Sequence, residues 1–299
     1  MFVSRIGPDR IKIKSPAKVN LFLEVLNKRS DGYHNINSLF QAVSLFDELK
    51  YELTDNHTLT LNISSPQPLE NDKNNLVYRA YHLMQKTFGF RKALAIRLDK
   101  YIPIAAGLAG GSSDAAATIL ACNIIYNLNL SYREMAKLGL QIGSDVPFFF
   151  SKGQALISGR GEQAIETSFP CEYKLILVTP DLSISTAEAY GELKMDLTNS
   201  RNPFILGRCE TVNELFEHLL LSNNDFESVM FSLYPELSKI RKVLLRMGAS
   251  LVRMSGSGPT VFGMFKKIPE SEDYKATHLK NWRCYTVEPI ILHKQVDIT

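Results

Sequence analysis

Reactive side chains and small residues cluster in a few short segments of this 299-residue chain. The richest runs Pro103-Ile104-Ala105-Ala106-Gly107-Leu108-Ala109-Gly110-Gly111-Ser112-Ser113-Asp114 and leads into an Ala/Ile/Leu-rich stretch reaching Tyr126 without Gly or Pro. Glycine lets a backbone turn tightly and approach a ligand closely. The first turn of a helix adds unpaired N–H groups and the positive end of the dipole. Together they make an anion site, most naturally a phosphate cradle, to which Ser112 and Ser113 would add hydroxyl donors. Neither G-x-x-x-x-G-K-[ST] nor G-x-G-x-x-G occurs, so the two common phosphate fingerprints do not apply. A tight strand-to-helix turn would use the same residue types.

Four other segments carry candidates. Gly143-Ser144-Asp145-Val146-Pro147-Phe148 sets a carboxylate between a helix end and an apolar run. Such an acid is a candidate general base, or a cap on the turn before Pro147. Ser15-Pro16-Ala17-Lys18-Val19-Asn20-Leu21 places Lys18 and Asn20 on one face of a strand. No partner for Lys18 is evident, and a lone lysine on such a face is usually solvated. In Asp31-Gly32-Tyr33-His34 an aromatic next to a histidine suits stacking on a planar ring and bonding its edge, although D-G is also a hairpin turn with a half-buried Tyr. Met254-Ser255-Gly256-Ser257-Gly258-Pro259-Thr260 is a second glycine-rich loop. Two such loops are best explained if both approach one ligand.

The elements that must position these residues follow from periodicity. Strands are expected at Arg10 to Lys14, Lys18 to Leu26, Asn37 to Leu53 (interrupted by Asp47-Glu48), Thr58 to Ile63 and Ala93 to Asp99. Helices are expected from Asn75 to Phe88, from Ser112 or Ser113 onward, and after the capping boxes at Ser131 and Thr211. A hairpin spans Gln154 to Thr167, and a helix is bracketed by Pro235 and Gly248. Further strands are read at Tyr173 to Thr179, Leu251 to Met254, Val261 to Phe265 and Trp282 to Ile291. Strands and helices mix without regular βαβ alternation, which gives an α+β class. A boundary within 155–170 is expected, dividing the chain into 1–165 and 166–299. The polar, Pro-interrupted 195–210 reads as a loop.

Composition narrows the function classes. The net charge of +3 and 45% hydrophobic content describe an ordinary globular protein and give no footprint for nucleic acid or anionic membrane. No apolar run is long enough to span a bilayer, and the N-terminus shows no signal or transit pattern, so a cytoplasmic location is expected. Cys122, Cys171, Cys209 and Cys284 are far apart and read as reduced thiols, mostly core, with no zinc-ligand spacing. Lys266, Lys267, Lys275 and Lys280 read as solvated surface.

Three blocks, Pro16 to Leu21, Pro103 to Ser113 and Ser255 to Thr260, stand in the order of the three motifs of the GHMP kinases. The chain resembles that superfamily from about residue 12 to 265. Asp31 to His34 and Gly143 to Pro147 look like its branch acting on a cytidyl-bearing methylerythritol. The resemblance implies a two-domain fold with the active site in the cleft between domains, ATP and Mg²⁺ as cofactors, a substrate with a cytidine diphosphate moiety, and no obligate protein partner. It implies Asp145 as the base and Lys18 as the catalytic lysine. Pro103, Ala105, Ala106, Gly107, Leu108, Ala109, Gly110, Gly111, Ser112 and Ser113 match the ATP phosphate loop. Tyr33 and His34 match the cytosine-binding positions, with Tyr190 as a second aromatic. Thr186 and Asn20 fall among the substrate contacts. No Mg²⁺ ligand is assigned. Many members have glycine where this chain has Ala105, Ala106 and Ala109, and alanine is expected to hold the backbone at negative φ. A kinase for another small alcohol, of homoserine or mevalonate type, would have no nucleobase for Tyr33-His34 to stack on. A nucleotide-binding regulator on the same fold would have no need of both Lys18 and Asp145.

Overall fold

The computed structural model describes residues 1–7, 9–193, 203–268 and 279–292. Strand β1 (Phe2–Gly7) pairs antiparallel with β2 (Arg10–Lys28), which pairs antiparallel with β3 (His34–Leu53). The two strands expected at Arg10 to Lys14 and Lys18 to Leu26 are thus one. A register shift between Pro16 and Ala17 absorbs the proline, which has no N–H to give the ladder. Strand β3 likewise runs through Asp47-Glu48 unbroken. From Ser15 to Val25 every residue of β2 is buried, because the sheet is covered on both faces there.

Strand β4 (Thr60–Ser64) lies parallel to β5 (Leu94–Asp99), with helix α1 (Leu76–Phe88) as the crossover. Asn75 caps α1 by accepting the Val77 N–H, and Gly89 ends it at φ +69°. The α1 stripe Val77, Ala80, Tyr81, Met84 faces helix α2 (Gly110–Ile125). Helix α2 is buried without a break from Ser113 to Cys122, so it forms the central rod of this half. Helix α3 (Tyr132–Leu140) opens on the expected capping box, and a 3₁₀ turn over Val146–Phe150 follows. Strand β6 (Gln154–Ser158) pairs with the start of β3 and turns back into β7 (Gln163–Glu166).

A second sheet begins with β8 (Lys174–Thr179). It is followed by helices α4 (Thr186–Gly191), α5 (Val212–Leu220), α6 (Glu227–Leu233) and α7 (Pro235–Arg246), then by β9 (Leu251–Met254), β10 (Val261–Phe265) and β11 (Arg283–Val287). The order is β11-β8-β10-β9, all antiparallel. Strand β11 is shorter than Trp282 to Ile291 because the chain then leaves this sheet for the first half, where the Glu288 N–H bonds Ser44 and Pro289 bridges Val43.

The two sheets share a core. Ala17, Val19 and Leu21 of β2 pack in one cluster with Leu175 and Leu177 of β8, Phe262 of β10, and Leu215 and Phe216 of α5. Main-chain bonds add to it: Leu23 N–H donates to Asn223 O, and Asp225 N–H to Leu23 O. The central strand β2 is therefore held by both halves. Cys122 and Cys209 are buried, Cys171 and Cys284 half-buried, and all four are free thiols. Lys266, Lys267 and Lys280 are exposed, while Lys275 lies outside the described residues, as does 195–202 of the expected loop. Pro203 to Glu210 has no helix or strand. Among the described residues no helix is long and apolar enough to cross a membrane.

Candidate active site

Lys18 is the centre of the site. Its side chain is only 4% exposed, so the solvated lysine anticipated from an isolated strand is not what forms. Nζ donates to Asn20 Oδ1 at 2.6 Å and to Gly107 O at 3.2 Å, lies 3.6 Å from Asp145 Oδ2, and sits 4.5 Å above the Phe40 ring. Burial draws the Lys18 ammonium below the ordinary lysine value, and Asp145 opposes that shift. Asn20 is fixed in turn: Nδ2 donates to Ser38 Oγ at 3.0 Å, and its backbone N–H to Ser255 Oγ at 3.3 Å. Asp145 precedes the 3₁₀ turn but makes no capping bond, and its side chain is 32% exposed. The carboxylate is thus available to a ligand.

The small-residue loop departs from expectation in shape. Helix α2 begins at Gly110, ahead of Ser112, and Ala109 and Ala105 take positive φ values of 55° and 52°. The left-handed conformation costs an alanine roughly 1–2 kcal/mol relative to glycine. Tertiary bonds impose it: Leu108 O accepts the Lys18 N–H at 3.1 Å, and Gly107 O accepts both Lys18 Nζ and, at 2.8 Å, Ser255 Oγ. Gly107, at φ +73°, is where the two glycine-rich loops meet. A Cβ there would stand 2.1 Å from the Ser255 carbonyl oxygen.

Beneath the loop lies a buried ionic cluster. Lys100 Nζ donates to Asp47 Oδ2 at 2.5 Å and to Asp114 Oδ2 at 2.8 Å. Asp47 Oδ1 accepts the N–H groups of Tyr101 and Ile102, and Asp114 Oδ1 accepts the Ser15 hydroxyl at 2.6 Å. Burial, then the neighbouring Asp114, pushes Asp47 up to about 7. Burial works against the Lys100 ammonium, but the two carboxylates outweigh it and raise its pKa. The cluster clamps both ends of the loop: residues 100–102 at its entry, Asp114 in α2 at its exit.

Two cavities meet beside Lys18, which lines the second of them. One, of about 490 Å³, is lined by every residue from Pro103 to Ser112 except Leu108. The Leu108 side chain packs in the core, and the Ser113 hydroxyl is buried, does not line the cavity and has no hydrogen-bond partner among the described residues. The N–H groups of Gly110, Gly111 and Ser112 have no partner among the described residues. The other cavity, of about 570 Å³, is lined by Lys18, Asn20, Tyr33, His34, Asp145, Thr186 and Tyr190. The two cavities share Gly107, Ala109 and Thr186. A larger cavity, of about 820 Å³ between Leu193, α6 and Arg241, contains none of these residues.

The rings of His34 and Tyr190 stack at 4.8 Å with a 9° interplanar angle. Burial first, and Lys28 second, lower the His34 pKa, which favours the neutral ring. Burial and the Asp145 charge push Tyr190 up to about 12, so it stays a phenol. Tyr33 is 55% exposed and stands at the cavity mouth beneath the Arg160 guanidinium, 5.1 Å from the ring centroid. The Gly256-Ser257 pair of the second glycine-rich loop also lines this cavity, as do Arg160 and Ser144, which were not among the expected site residues. Asp47 and Lys100 were missed too. An acid inside an apolar strand was the one available signal for Asp47.

Comparison with known proteins bears on this arrangement. Residues 75–153 match the GHMP kinases N terminal domain and 209–277 the GHMP kinases C terminal domain. The 4-diphosphocytidyl-2-C-methyl-D-erythritol kinase of Bacillus subtilis (strain 168) is 42% identical over 258 residues, 85% of this chain and 88% of that protein. The protein of the same name from Bacillus mycoides (strain KBAB4) is 40% identical over 266 residues. The chain belongs to the 4-diphosphocytidyl-2-C-methyl-D-erythritol kinase family. A crystal structure of a 4-(cytidine 5'-diphospho)-2C-methyl-D-erythritol kinase superposes with a TM-score of 0.74 at 30% identity, covering 93% of this chain and 99% of that one. A homoserine kinase from Cytophaga hutchinsonii shares the fold at a TM-score of 0.70 and 18% identity, covering 96% of each chain. This member of the kinase family thus carries the α+β GHMP architecture.

The loop and the ionic cluster beneath it lead to three predictions. Gly107→Ala will destabilise the kinase by on the order of 3 kcal/mol, because left-handed strain adds to a backbone clash. ATP binding, measured by titration, will be lost with it. Ala109→Gly relieves strain but loosens the unfolded chain, and will change the unfolding free energy read from a urea titration by less than about 1 kcal/mol with ATP affinity retained. Lys100→Met strands two buried carboxylates side by side and will cost about 3–5 kcal/mol in the same urea titration.

Proposed function

We propose that this kinase transfers the γ-phosphoryl group of ATP to the 2-hydroxyl of 4-diphosphocytidyl-2-C-methyl-D-erythritol, giving the 2-phosphate and ADP in the non-mevalonate route to isoprenoid precursors. One observation carries the site assignment: the two cavities meet at Gly107, Ala109 and Thr186, beside the Lys18–Asp145 pair. A triphosphate seated on the free N–H groups of α2 would direct its terminal phosphoryl group to that junction.

Phosphoryl transfer depends on positioning and charge stabilisation more than on covalent chemistry. Asp145 accepts the hydrogen bond of the substrate hydroxyl, aims its oxygen, and receives its proton as the new P–O bond forms. Lys18 stabilises the negative charge that develops on the oxygens in transit. Its low exposure strengthens that interaction, and the bonds to Asn20 and Gly107 O spare it any reorganisation. Asn20 holds Lys18 and lines the same cavity. The His34–Tyr190 stack would form one aromatic wall for the cytosine and Tyr33 a second at the cavity mouth, with the neutral His34 ring available to the base's polar edge.

A Mg²⁺ ion fits this donor set. Asp114 is committed to Ser15 and Lys100, whereas the Asp145 carboxylate, the one other carboxylate among the described residues lining the two cavities, and hydroxyls such as that of Ser112 are hard oxygen donors that would hold the ion. When bound there with the triphosphate, the ion would offset phosphate charge.

The test is ATP consumption by purified protein with Mg²⁺ and the cytidyl substrate, with mevalonate and homoserine run in parallel. Turnover with the cytidyl substrate alone is expected. Asp145→Asn is expected to lower kcat by roughly 10³-fold or more while ATP binding persists. Near-normal kcat in that variant overturns the assignment of Asp145.

A further inference from the structure

The substrate proposed above carries a diphosphate, and the charges lining its cavity do not yet account for it. Lys18 is already paired with Asp145. The free N–H groups of α2 face the other cavity. At the mouth, Asp31 is held by Arg29 at 3.0 Å. His34 favours its neutral form. Among the described residues that line this cavity, Arg160 is the cation that forms no ion pair with a carboxylate.

The hairpin between β6 and β7 is built to present it. Gly159 and Gly161 both take positive φ, 67° and 109°, and flank Arg160 on a tight turn. Gly159 O accepts the Ile36 N–H at 2.7 Å, which ties the turn to the start of β3. Glu162 Oε2 accepts the Arg160 backbone N–H at 2.6 Å, so this carboxylate fixes the main chain of the turn. A Cβ on Gly161 would lie 3.3 Å from Cβ of Ser144, the neighbour of Asp145. The guanidinium rests over Tyr33, a planar cation on an aromatic face, and its N–H groups make no hydrogen bond among the described residues.

We propose that Arg160 is a specificity residue for the substrate's diphosphate: stacked on Tyr33, it donates hydrogen bonds to the phosphate oxygens while the cytosine occupies the aromatic walls. Guanidinium suits this role because its fork of N–H donors matches phosphate geometry and its charge persists at every physiological pH. The proposal rests on the kinase reading above.

The test measures cytidine and CDP binding by calorimetry, with a non-hydrolysable ATP analogue saturating the nucleotide site. Wild type, Arg160→Met and Arg160→Lys are compared at low and high salt. Wild type is expected to bind CDP more tightly than cytidine. Arg160→Met is expected to lose about tenfold in CDP affinity, in the range of one charge-assisted contact, with cytidine affinity within about twofold of wild type. Its CDP binding should depend less on salt, and Arg160→Lys should recover part of the loss. Equal losses for cytidine and CDP would show that Arg160 only supports Tyr33, and would overturn the proposal. So would an unchanged CDP affinity. If wild type binds neither ligand, the cytidyl reading of the site fails, and this proposal fails with it.

Discussion

A lysine ammonium withdrawn from water is the constraint around which this molecule is arranged. Removing such a charge from solvent costs several kcal/mol unless the new surroundings replace the lost hydration. Here the replacements come from four directions: Asn20 on the same strand, the Gly107 carbonyl on the small-residue loop before α2, Asp145 after α3, and the face of Phe40 on β3. Each must arrive with its own backbone already placed. The fold around Lys18 is therefore the sum of the requirements of its partners, and the same convergence brings the two cavities to one point.

Gly107 shows how tightly that sum is drawn. Its carbonyl serves Lys18 and Ser255 together, so the loop from the first half and the loop from the second are joined through one oxygen. Asn224, in the segment that precedes α6, completes the joint by donating to Met254 O and Gly256 O. A side chain has no room at such a crossing, which is why glycine stands there. At Ala105 and Ala109 no comparable crossing exists, and the backbone can take left-handed φ with a methyl group present. Steric strain of this size is tolerable where neighbouring hydrogen bonds dictate the path.

Much of this was legible in the residues and some was not. The glycine-rich loops, the aromatic–histidine pair and the acid before Pro147 are local patterns, and local patterns report local chemistry. That Lys18 and Asn20 share a face follows from strand alternation alone. The burial of Lys18 was not legible, because Gly107, 89 residues away, and Asp145 leave no trace near it in the chain. The φ of Ala105 and Ala109 was misjudged because intrinsic preference was allowed to speak for a backbone that tertiary bonds control. Asp47, Lys100 and Asp114 have no motif spacing; they are recognisable as one cluster only after β3, β5 and α2 have been assembled. Arg160 looked like a turn residue, and in its main chain it is one.

The position of the Asp47–Lys100–Asp114 cluster has a physical logic of its own. The loop before α2 leaves the N–H groups of Gly110, Gly111 and Ser112 without partners among the described residues, so it does not stabilise itself by bonding its own backbone. Its rigidity has to come from the two flanks. Asp47 takes the N–H groups of Tyr101 and Ile102 on the entry side, Asp114 stands in the buried run of α2 on the exit side, and Lys100 binds the two carboxylates together. An apolar contact would tolerate sliding between strand and helix; directional bonds between buried charges do not. The cost of burying these ions is set against the apolar packing of α1 and α2 above β3 and β5, the largest core in the chain. Polar groups thus fix the geometry of the site, and the hydrophobic core supplies the stability that lets them remain where water is excluded.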